Sequence, residues 1–269
     1  MYGGTKKNRA RTCHRFELPV ESQLSEADHQ PPLPRHVAWC DHCSMRDAGY
    51  YKERLAAEQL QQCYRLAPAR VRQYLRAEVE FVVARLRPDD VVLDLGCGYG
   101  RTMPAFAGSS RWIVGTDNSL ASLRLARQRL GAATYCSLLC ADAKQLGFAA
   151  GSFDRVVCIQ NGISAFHVDR RVLVREVVRV LRPRGMALFS TYSDRFWEDR
   201  LDWFERQSAA GLIGDIDRIL TRDGVIVCKD GFTAGTVHEE EFRTLVANLD
   251  VELESFEVDD SSVFYLVSA

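Results

Sequence analysis

Residues 91–100 read VVLDLGCGYG. The first five residues form an almost wholly apolar run, which is typical of a strand buried on both faces in a parallel sheet. Gly96, Gly98 and Gly100 then alternate with other residues where this strand must turn into a helix. Glycine has no Cβ, so it accepts left-handed backbone angles and lets a ligand lie close to the chain. The stretch therefore predicts a strand, a tight loop and a helix N-terminus that face a ligand.

The segments around this stretch alternate between helix and strand patterns. Tyr50–Leu66 has a helical pattern, and after Pro68 a second helix places apolar residues at spacings of three and four as far as Leu86. Beyond residue 100 the sequence predicts strands near 112–116, 134–139, 154–159 and 186–191, with helices near 119–130, 168–181 and 239–248. This alternation predicts an α/β fold with a doubly wound, mostly parallel sheet.

Two hairpins are predicted in the last quarter of the chain. Ile216–Leu220 and Val225–Cys228 flank an Asp-Gly pair at 223–224, which supplies the positive backbone angles of a tight turn. Val251–Val258 and Val263–Val267 alternate polar and apolar residues with a period of two around a short polar turn. The chain is therefore expected to finish as an antiparallel hairpin.

The pattern of the chain also suggests a partition into segments. Residues 1–45 show no apolar period and contain the run Gln30-Pro31-Pro32-Leu33-Pro34, so we expect a disordered leader. We expect residues 46–269 to form one domain, because a chain of this length can bury most of its apolar surface in one core. Within it, residues 46–86 are interpreted as an N-terminal helical cap and residues 196–237 as an insertion on the substrate side.

Composition limits the classes of protein to which the chain can belong. It has 269 residues, of which 46% are hydrophobic and 26% charged, which is ordinary for a globular protein and excludes collagen-like and wholly disordered chains. The formal net charge of -1 provides no global field for polyanions, so a nucleic-acid partner is not favoured. The sequence contains no apolar run long enough for a membrane helix, so no membrane partner is predicted.

The nine cysteines are odd in number and scattered, which does not fit a disulfide framework and predicts a cytoplasmic location. Cys40-Asp41-His42-Cys43 has the spacing of half a zinc site, with Cys13, His14 and His36 as conceivable partners. Simultaneous ligation by the adjacent Cys13 and His14 is geometrically awkward, and the interpretation without a zinc site is therefore favoured. No metal is predicted.

The spacing of the glycines bears on the identity of the ligand. A dinucleotide fingerprint requires Gly-x-Gly-x-x-Gly, but Arg101 or Met103 occupies the last position in the two registers that the sequence allows. A nicotinamide cofactor is thereby disfavoured. The acidic residue before the glycines, Asp94, suits a ligand with an amino group better than one with phosphates. These features together indicate an adenosine that carries an amino acid.

Acidic residues follow the next two predicted strands as well. Asp117 and Asn118 come about twenty residues after the glycine loop, where a carboxylate can accept hydrogen bonds from both ribose hydroxyls. Asp142 and Ala143 follow one strand later, where the carboxylate could accept a hydrogen bond from the adenine amino group. A single acid at a strand end is more often a cap or loop residue. Three at correlated spacings favour one nucleoside site.

Five runs of sequence resemble the class I S-adenosylmethionine-dependent methyltransferases, in particular the small-molecule enzymes that include those of ubiquinone and menaquinone biosynthesis. The runs are VVLDLGCGYGRT, IVGTDNS, CADAKQLGF, SFDRVVCIQNGISAF and LVREVVRVLRPRGMALFSTY, and the likeness spans about residues 70–200. The resemblance implies a seven-stranded sheet with an antiparallel last strand and a Rossmann-like methyltransferase fold. It also implies S-adenosyl-L-methionine as cofactor and S-adenosyl-L-homocysteine as product.

The resemblance carries over to individual residues in the same way. Asp94 and the backbone of Gly96, Cys97 and Gly98 would hold the methionine part of the cofactor, and Gln160 would lie beside the sulfonium. Asp117, with its neighbour Asn118, would hold the ribose, and Asp142 and Ala143 would hold the adenine. Methyl transfer from a sulfonium is an in-line displacement, which depends mainly on the positioning of donor and acceptor. The family therefore has no universal catalytic residue.

Candidates near the acceptor come from positions where a lid or cleft wall is expected. Asn161 and His167 follow the fourth predicted strand, and Tyr192 follows the fifth. Tyr51, with Tyr50 and Tyr64, lies on the first predicted helix, from which an aromatic ring could close over the cofactor. A histidine at such a position is more often a solvent-facing loop residue than a catalytic base. The tyrosines are more often ordinary packing residues than a lid over the cofactor.

The function predicted from the sequence is methyl transfer to a small molecule by a monomer or homodimer. A nitrogen or sulfur nucleophile is slightly preferred, because no metal-binding pair or paired base accompanies the predicted cleft. If the chain is an enzyme, the alternative is methylation of RNA or protein, for which the arginines around Arg65–Arg76 would be the electrostatic footprint. If it is not an enzyme, the alternative is a noncatalytic module that binds the cofactor.

Overall fold

The structure is a computed structural model that describes residues 49–269. The predicted leader and the Cys40–Cys43 pair lie outside the described residues. The described residues form nine strands: β1 Val91–Leu95, β2 Trp112–Asp117, β3 Cys136–Cys140, β4 Phe153–Cys158, β5 Leu181–Tyr192, β6 Ile226–Val227, β7 Thr233–Ala234, β8 Glu252–Val258 and β9 Ser262–Ser268. They also form nine α-helices: α1 Tyr50–Glu53, α2 Ala57–Arg65, α3 Ala69–Val83, α4 Met103–Ala107, α5 Leu120–Leu130, α6 Gly162–Ala165, α7 Arg170–Val180, α8 Trp197–Ala209 and α9 Glu239–Val246. None of these helices is long and apolar enough to cross a bilayer.

Seven strands form one sheet in the order β3-β2-β1-β4-β5-β9-β8. The first five pair in parallel, whereas β9 lies antiparallel between β5 and β8. The strand order reverses between β1 and β4, and this is the point where open α/β sheets bind ligands. The predicted doubly wound, mostly parallel seven-stranded sheet with an antiparallel last strand is confirmed.

Apolar residues of both sheet faces are buried under helices. On one face, α7 and α9 cover a cluster that includes Val177, Phe189 and Phe242. On the other, α3, α4 and α5 cover a cluster that includes Phe106 and Leu123. All five residues of β1 are buried, as its apolar sequence requires for a central parallel strand.

A third apolar cluster lies outside the two layers on the sheet. It joins the N-terminal helices to α8 and to the segment that carries β6 and β7, through residues such as Tyr74, Phe196, Trp203 and Phe232. The buried residues of α8 recur at spacings of three and four and so lie on one face of the helix: they are Arg200, Trp203, Phe204 and Gln207. This cluster holds the segments before β1 and after β5 together above the sheet.

Two local predictions are wrong. The first predicted helix is interrupted at residues 54–56, and Ala57 at the start of α2 has a positive φ of 50°. The predicted strand Ile216–Leu220 is reduced to a single antiparallel bridge between Ile216 and Cys228. The Asp-Gly pair at 223–224 makes its tight turn, with φ of 53° and 76°, but β6 pairs with β7 instead.

The cause of the second difference is a local competition for backbone donors. The Asp217 carboxylate accepts hydrogen bonds from the N–H groups of Ile219 and Leu220, at 2.9 and 3.1 Å. These two N–H groups are then not available for hydrogen bonds to a neighbouring strand. The apolar side chains that suggested a strand are instead exposed, Ile219 by 82% and Leu220 by 54%.

Candidate functional site

A cleft lies at the carboxyl ends of the parallel strands. Its empty volume is about 1210 Å³, including the space at its open mouth. The loops after β1, β2, β3 and β4 form one side of it, and α1, α2, α3 and α8 contribute to the other. A smaller recess of about 380 Å³ shares the glycine loop and Gln160 with the cleft. Size and position both suit a nucleoside-sized ligand with a second molecule beside it.

The glycine loop has the backbone that its sequence predicts. Gly96 and Gly98 have φ of 79° and 53°, and the N–H groups of Gly96 and Cys97 both donate to the carbonyl of Thr116 on β2. A Cβ on Gly96 would lie 2.6 Å from the Phe166 ring. The loop is therefore held against β2 without side chains in the cleft. Cys97 turns its thiol toward β2, where burial raises its pKa.

Asp117 lies at the end of β2 and lines the cleft. Its two carboxylate oxygens accept hydrogen bonds from the N–H groups of Gly98 and Ser119, at 2.9 and 2.8 Å. Burial raises its pKa, and both backbone donors act against that rise. These contacts fix the orientation of the carboxylate and leave it at the cleft, half-buried, beside Asn118.

Asp142 and Ala143 line the same cleft after β3. The Asp142 side chain is exposed and accepts a hydrogen bond from the Lys144 N–H at 2.9 Å. The loops after β2 and β3 thus bring two of the three predicted acids to one cavity. The third, Asp94, lines the smaller recess instead.

Asp94 is only 4% exposed at the end of β1 and accepts a hydrogen bond from the Thr102 hydroxyl at 2.9 Å. Burial raises its pKa to about 7, with the charge of Asp117 adding to the rise and the charge of Arg101 opposing it. The guanidinium of Arg101 lies 4.6 Å from the ring centre of Tyr64 and lines the recess. Its Nη2 atom is buried without a hydrogen-bond partner in the described part of the chain. The recess therefore presents an acid and an unsatisfied cation side by side.

Gln160 follows β4 with a positive φ of 57°. Its N–H donates to Oε2 of Glu78 and to the Ser190 hydroxyl, at 2.9 and 2.8 Å. Its side-chain oxygen accepts from the Tyr64 hydroxyl at 2.9 Å. Its amide nitrogen Nε2 is buried and has no hydrogen-bond partner among residues 49–269. A strained backbone and an unsatisfied donor at one residue are typical of a site that binds a ligand.

Sequence reasoning missed Glu78, Arg101 and Gln207. Glu78 lies on α3, is fully buried, and burial raises its pKa to about 7 while the hydroxyls of Ser190 and Ser262 lower it. A signal was available, because Glu78 interrupts the apolar stripe of α3 between Leu75 and Val82. A lone acid on an apolar helix face must be satisfied in the core, and here it holds the loop that carries Gln160.

The four residues considered near the acceptor lie in different surroundings. Tyr51 and Tyr192 line the cleft, and burial raises the pKa of Tyr192 to about 12. Asn161 lies behind the wall of the cleft: its amide nitrogen donates to the Gly235 carbonyl, and its amide oxygen accepts from Thr191. His167 lines a separate surface pocket, and burial lowers its pKa. The structure therefore brings Tyr51 and Tyr192 together at the cleft and leaves Asn161 and His167 outside it.

The end of the cleft away from the acids is aromatic. It is lined by Tyr51, Tyr64, Tyr74, Tyr192, Trp203 and Phe204. The rings of Tyr64 and Trp203 lie 6.0 Å apart and those of Tyr74 and Tyr192 lie 5.7 Å apart, measured between ring centres. Trp203 is fixed by a hydrogen bond of 2.9 Å from its indole nitrogen to the Cys63 carbonyl. We call this set of six residues the aromatic end, and the region of Asp117 and Asp142 the nucleoside end.

Comparisons with known proteins agree with this geometry. The family described as "Methyltransferase domain" matches residues 92–185. The chain is 36% identical over 108 residues to demethylmenaquinone methyltransferase of Corynebacterium urealyticum, covering 40% of this chain and 44% of that protein. It is 33% identical over 117 residues to malonyl-(acyl-carrier protein) O-methyltransferase of Erwinia pyrifoliae, covering 43% of each. The chain thus spans less than half the length of these curated relatives.

A solved structure is also similar. A SAM-dependent methyltransferase from Methanosarcina mazei superposes with a TM-score of 0.53 at 19% identity, covering 70% of this chain and 96% of that one. At this identity the likeness concerns the fold. Sequence relatives and fold therefore agree on the region that forms the glycine loop and the nucleoside end.

Proposed function

Since residues 92–185 place the chain in the class I S-adenosylmethionine-dependent methyltransferases, we propose that it transfers a methyl group from S-adenosylmethionine to a small molecule. The observation that carries the proposal is the nucleoside end, where the carboxylate of Asp117 and a loop that lines the cleft with Gly96 and Gly98 face one cavity. The bound cofactor supplies an electrophilic methyl group on a sulfonium.

The residues of the cleft fit this cofactor in three places. Asp117 is oriented by two backbone donors, so its carboxylate can accept the ribose hydroxyls without reorganisation. Asp142, exposed within the cleft, and Ala143 suit the adenine. A Cβ at Gly96 or Gly98 would have close contacts, at 2.6 Å to Phe166 and 3.2 Å to Leu60, which supports a role of both glycines in keeping the loop clear.

The recess fits the amino-acid part of the cofactor. Asp94 can pair with an ammonium group, and the unsatisfied Nη2 of Arg101 can donate to a carboxylate. Pairing with an ammonium would favour the charged form of Asp94, whose pKa burial raises to about 7. A zwitterion would thus satisfy both groups at once, whereas a phosphate would be repelled by the acid.

The chain contributes to the reaction mainly by positioning. Gln160 lines both the recess and the cleft and contacts Tyr64 of the aromatic end, and its loop is held by Glu78. Holding a nucleophile in line with the methyl group can lower the barrier by roughly 7 to 11 kcal/mol. The aromatic end would exclude water from the reacting atoms.

The proposal of a small acceptor is supported by the aromatic end, whose closely packed rings come from α1, α2, α3, β5 and α8. The nitrogen or sulfur nucleophile, the cytoplasmic location and the monomeric or homodimeric state stay predictions from the sequence. The assignment of residues 46–86 as a cap and 196–237 as a substrate-side insertion is likewise part of this proposal, supported by the lining of the cleft by Tyr51, Tyr64 and Trp203.

Two measurements test the proposal. Calorimetry is expected to detect binding of S-adenosylhomocysteine and none of NAD, and the reverse result would overturn it. Transfer of label from the methyl donor is then followed into thiols, amines, phenols, peptides and RNA. Label in a small molecule supports the proposal, label in RNA or peptide supports the alternative enzyme, and binding without any transfer supports the noncatalytic module.

A further inference from the structure

Two glutamines line the same cleft as the aromatic end, and each has an amide donor to which the proposed function assigns no partner. Gln207 is 3% exposed on the inner face of α8, and it lines the cleft one helical turn after Trp203. Its amide nitrogen Nε2 is buried and lacks a hydrogen-bond partner in the described part of the chain. A buried amide donor of this kind is costly unless something accepts its hydrogen bond.

Gln160 presents a second donor of the same type. Its Nε2 is also buried and unsatisfied, while its oxygen is occupied by the Tyr64 hydroxyl. The two glutamines come from different elements, α8 and the loop after β4, and both line the same cleft. A ligand that reaches both residues would meet two amide donors that are already desolvated.

The six rings of the aromatic end line the same cleft as these donors, together with aliphatic side chains such as Leu55 and Leu60. Aromatic rings favour flat partners, with which they stack or pack edge to face. Trp203 and Phe204 form one edge-to-face pair with ring centres 5.6 Å apart, and Trp203 is fixed by its bond to the Cys63 carbonyl. The wall is thus rigid and suits a planar molecule.

Formal charges are scarce where the acceptor would lie. The charged residues among those that line the cleft are Lys52, Asp117 and Asp142, and the two acids belong to the nucleoside end. Lys52 is on α1 and partly exposed to solvent, so its charge is screened. Three further charges lie behind the wall: Glu78 under Gln160, Arg101 with its guanidinium 4.6 Å from the ring centre of Tyr64, and Arg200 with its guanidinium 4.0 Å from that of Tyr192. None of these three charged residues lines the cleft, so a charged acceptor would lose its hydration there without a direct ion pair.

We infer that the methyl acceptor is a planar, uncharged ring compound whose oxygen or other hydrogen-bond acceptor atom is bound by the amide N–H groups of Gln207 and Gln160. This inference rests on the proposed function, and it names the class of acceptor at the same site. It leaves the nucleophilic atom open, because the amides recognise a neighbouring acceptor atom rather than the atom that is methylated.

The inference is tested by binding to the full chain saturated with S-adenosylhomocysteine. The probes are three acetylnaphthalenes that bear a hydroxyl, a thiol or an amino group, the corresponding naphthalene carboxylates, and hexylamine and hexanethiol. We expect at least one neutral ring compound to bind with a Kd below about 1 mM, and every carboxylate and aliphatic probe to bind at least about tenfold more weakly. Absence of ring binding, or equal binding of a charged or aliphatic probe, would overturn the inference.

Substitutions then assign the donor. Gln207→Leu keeps the size of the side chain and removes the amide, so ring binding should weaken about fivefold to tenfold with unchanged affinity for S-adenosylhomocysteine. Gln207→Glu, which replaces the donor by an acceptor, should weaken it further. Gln59→Leu, at an exposed position of α2, is the matched control. Equal ring affinity in the wild type and in a folded Gln207→Leu variant would refute the role of this amide.

The same experiment separates the inference from the proposed function. Failure of the wild type to bind S-adenosylhomocysteine contradicts the proposed function itself. Tight binding of S-adenosylhomocysteine together with failure of the ring series contradicts only the acceptor class. Label transfer to the three acetylnaphthalenes also decides whether the predicted nitrogen or sulfur nucleophile is preferred over oxygen.

Discussion

The two ends of the cleft are built in different ways. The nucleoside end consists of loops that directly follow β1, β2 and β3, and its contacts are mostly made by backbone groups, such as the N–H of Gly98 on Asp117. The aromatic end is built by side chains from α1, α2, α3, β5 and α8, which are as far apart in the chain as Tyr51 and Phe204. Binding through backbone groups depends on the conformation of the loops, which few substitutions preserve. Binding through side chains can be altered by single substitutions that leave the backbone in place.

This contrast predicts separate consequences of mutation. Changes at the nucleoside end should affect cofactor binding, and changes at the aromatic end should affect acceptor binding alone. The contrast fails if a substitution at one end shifts both affinities equally while the protein stays folded.

The largest effect is expected for Gly96→Val. The new side chain would meet the Phe166 ring at 2.6 Å from Cβ and would have to adopt a φ of 79°, which β-branched residues avoid. We expect the affinity for S-adenosylhomocysteine to fall at least about 100-fold, which corresponds to roughly 2.7 kcal/mol, by calorimetry.

The control for this variant is Gly131→Val. Gly131 also has a positive φ, of 58°, but a Cβ there would meet nothing within 4 Å. It therefore carries the backbone strain without the crowding of the loop. If both variants bind S-adenosylhomocysteine equally well, the glycine loop is not part of the cofactor-binding site.

A smaller effect is expected for Asp117→Ala. Loss of a carboxylate that accepts ribose hydroxyls should cost about 1 to 3 kcal/mol of binding free energy, or about 5- to 150-fold in affinity. Calorimetry with S-adenosylhomocysteine measures the change. Asp89→Ala, at an exposed turn before β1, is the control and should bind as the wild type does. An affinity unchanged in Asp117→Ala would refute the ribose assignment.

Much of the fold could be predicted from the sequence, because its signals are local. The apolar run of β1 and the positive φ required at Gly96 and Gly98 are properties of neighbouring residues. Acids at strand ends are equally local, and parallel pairing then brings the loops after β2 and β3 to one edge. Asp117 and Asp142 were found in this way, and both line the cleft.

The rest depended on contacts between distant segments. That Gln207 lines the cleft depends on where α8 packs, whereas its spacing of three and four residues from Phe204 and Trp203 shows only that the three share one helix face. Asn161 was chosen for its position after β4, but its amide binds Gly235 and Thr191 instead. Which neighbour satisfies a polar group is a tertiary property that one strand end does not encode.

A further prediction divides the nucleoside end from the adjoining recess. Arg101→Met removes the guanidinium whose Nη2 is unsatisfied, so the binding free energy for S-adenosylhomocysteine should weaken by about 1.5 kcal/mol, the lower end of the range for a hydrogen bond to a charged group. Affinity for methylthioadenosine, which has no carboxylate, should not change. Equal losses for both ligands would show that Arg101 acts on the shape of the recess rather than on the carboxylate.

The smallest effect concerns the pH dependence of stability. Burial raises the pKa of Asp94 to about 7 from its ordinary value of 3.8, so the folded protein binds more protons than the unfolded chain between these values. The contribution of this group to stability is then complete below about pH 4 and is lost as the pH rises through about 7. Asp94→Asn should reduce this decline of the melting temperature between pH 4 and 7, and an identical decline in the variant would contradict the assignment.

The ligands connect this effect to the recess, because an ammonium beside Asp94 favours its charged form and lowers its pKa. Saturation of the wild type with S-adenosylhomocysteine should therefore weaken the decline, whereas methylthioadenosine, which lacks the ammonium, should leave it in place.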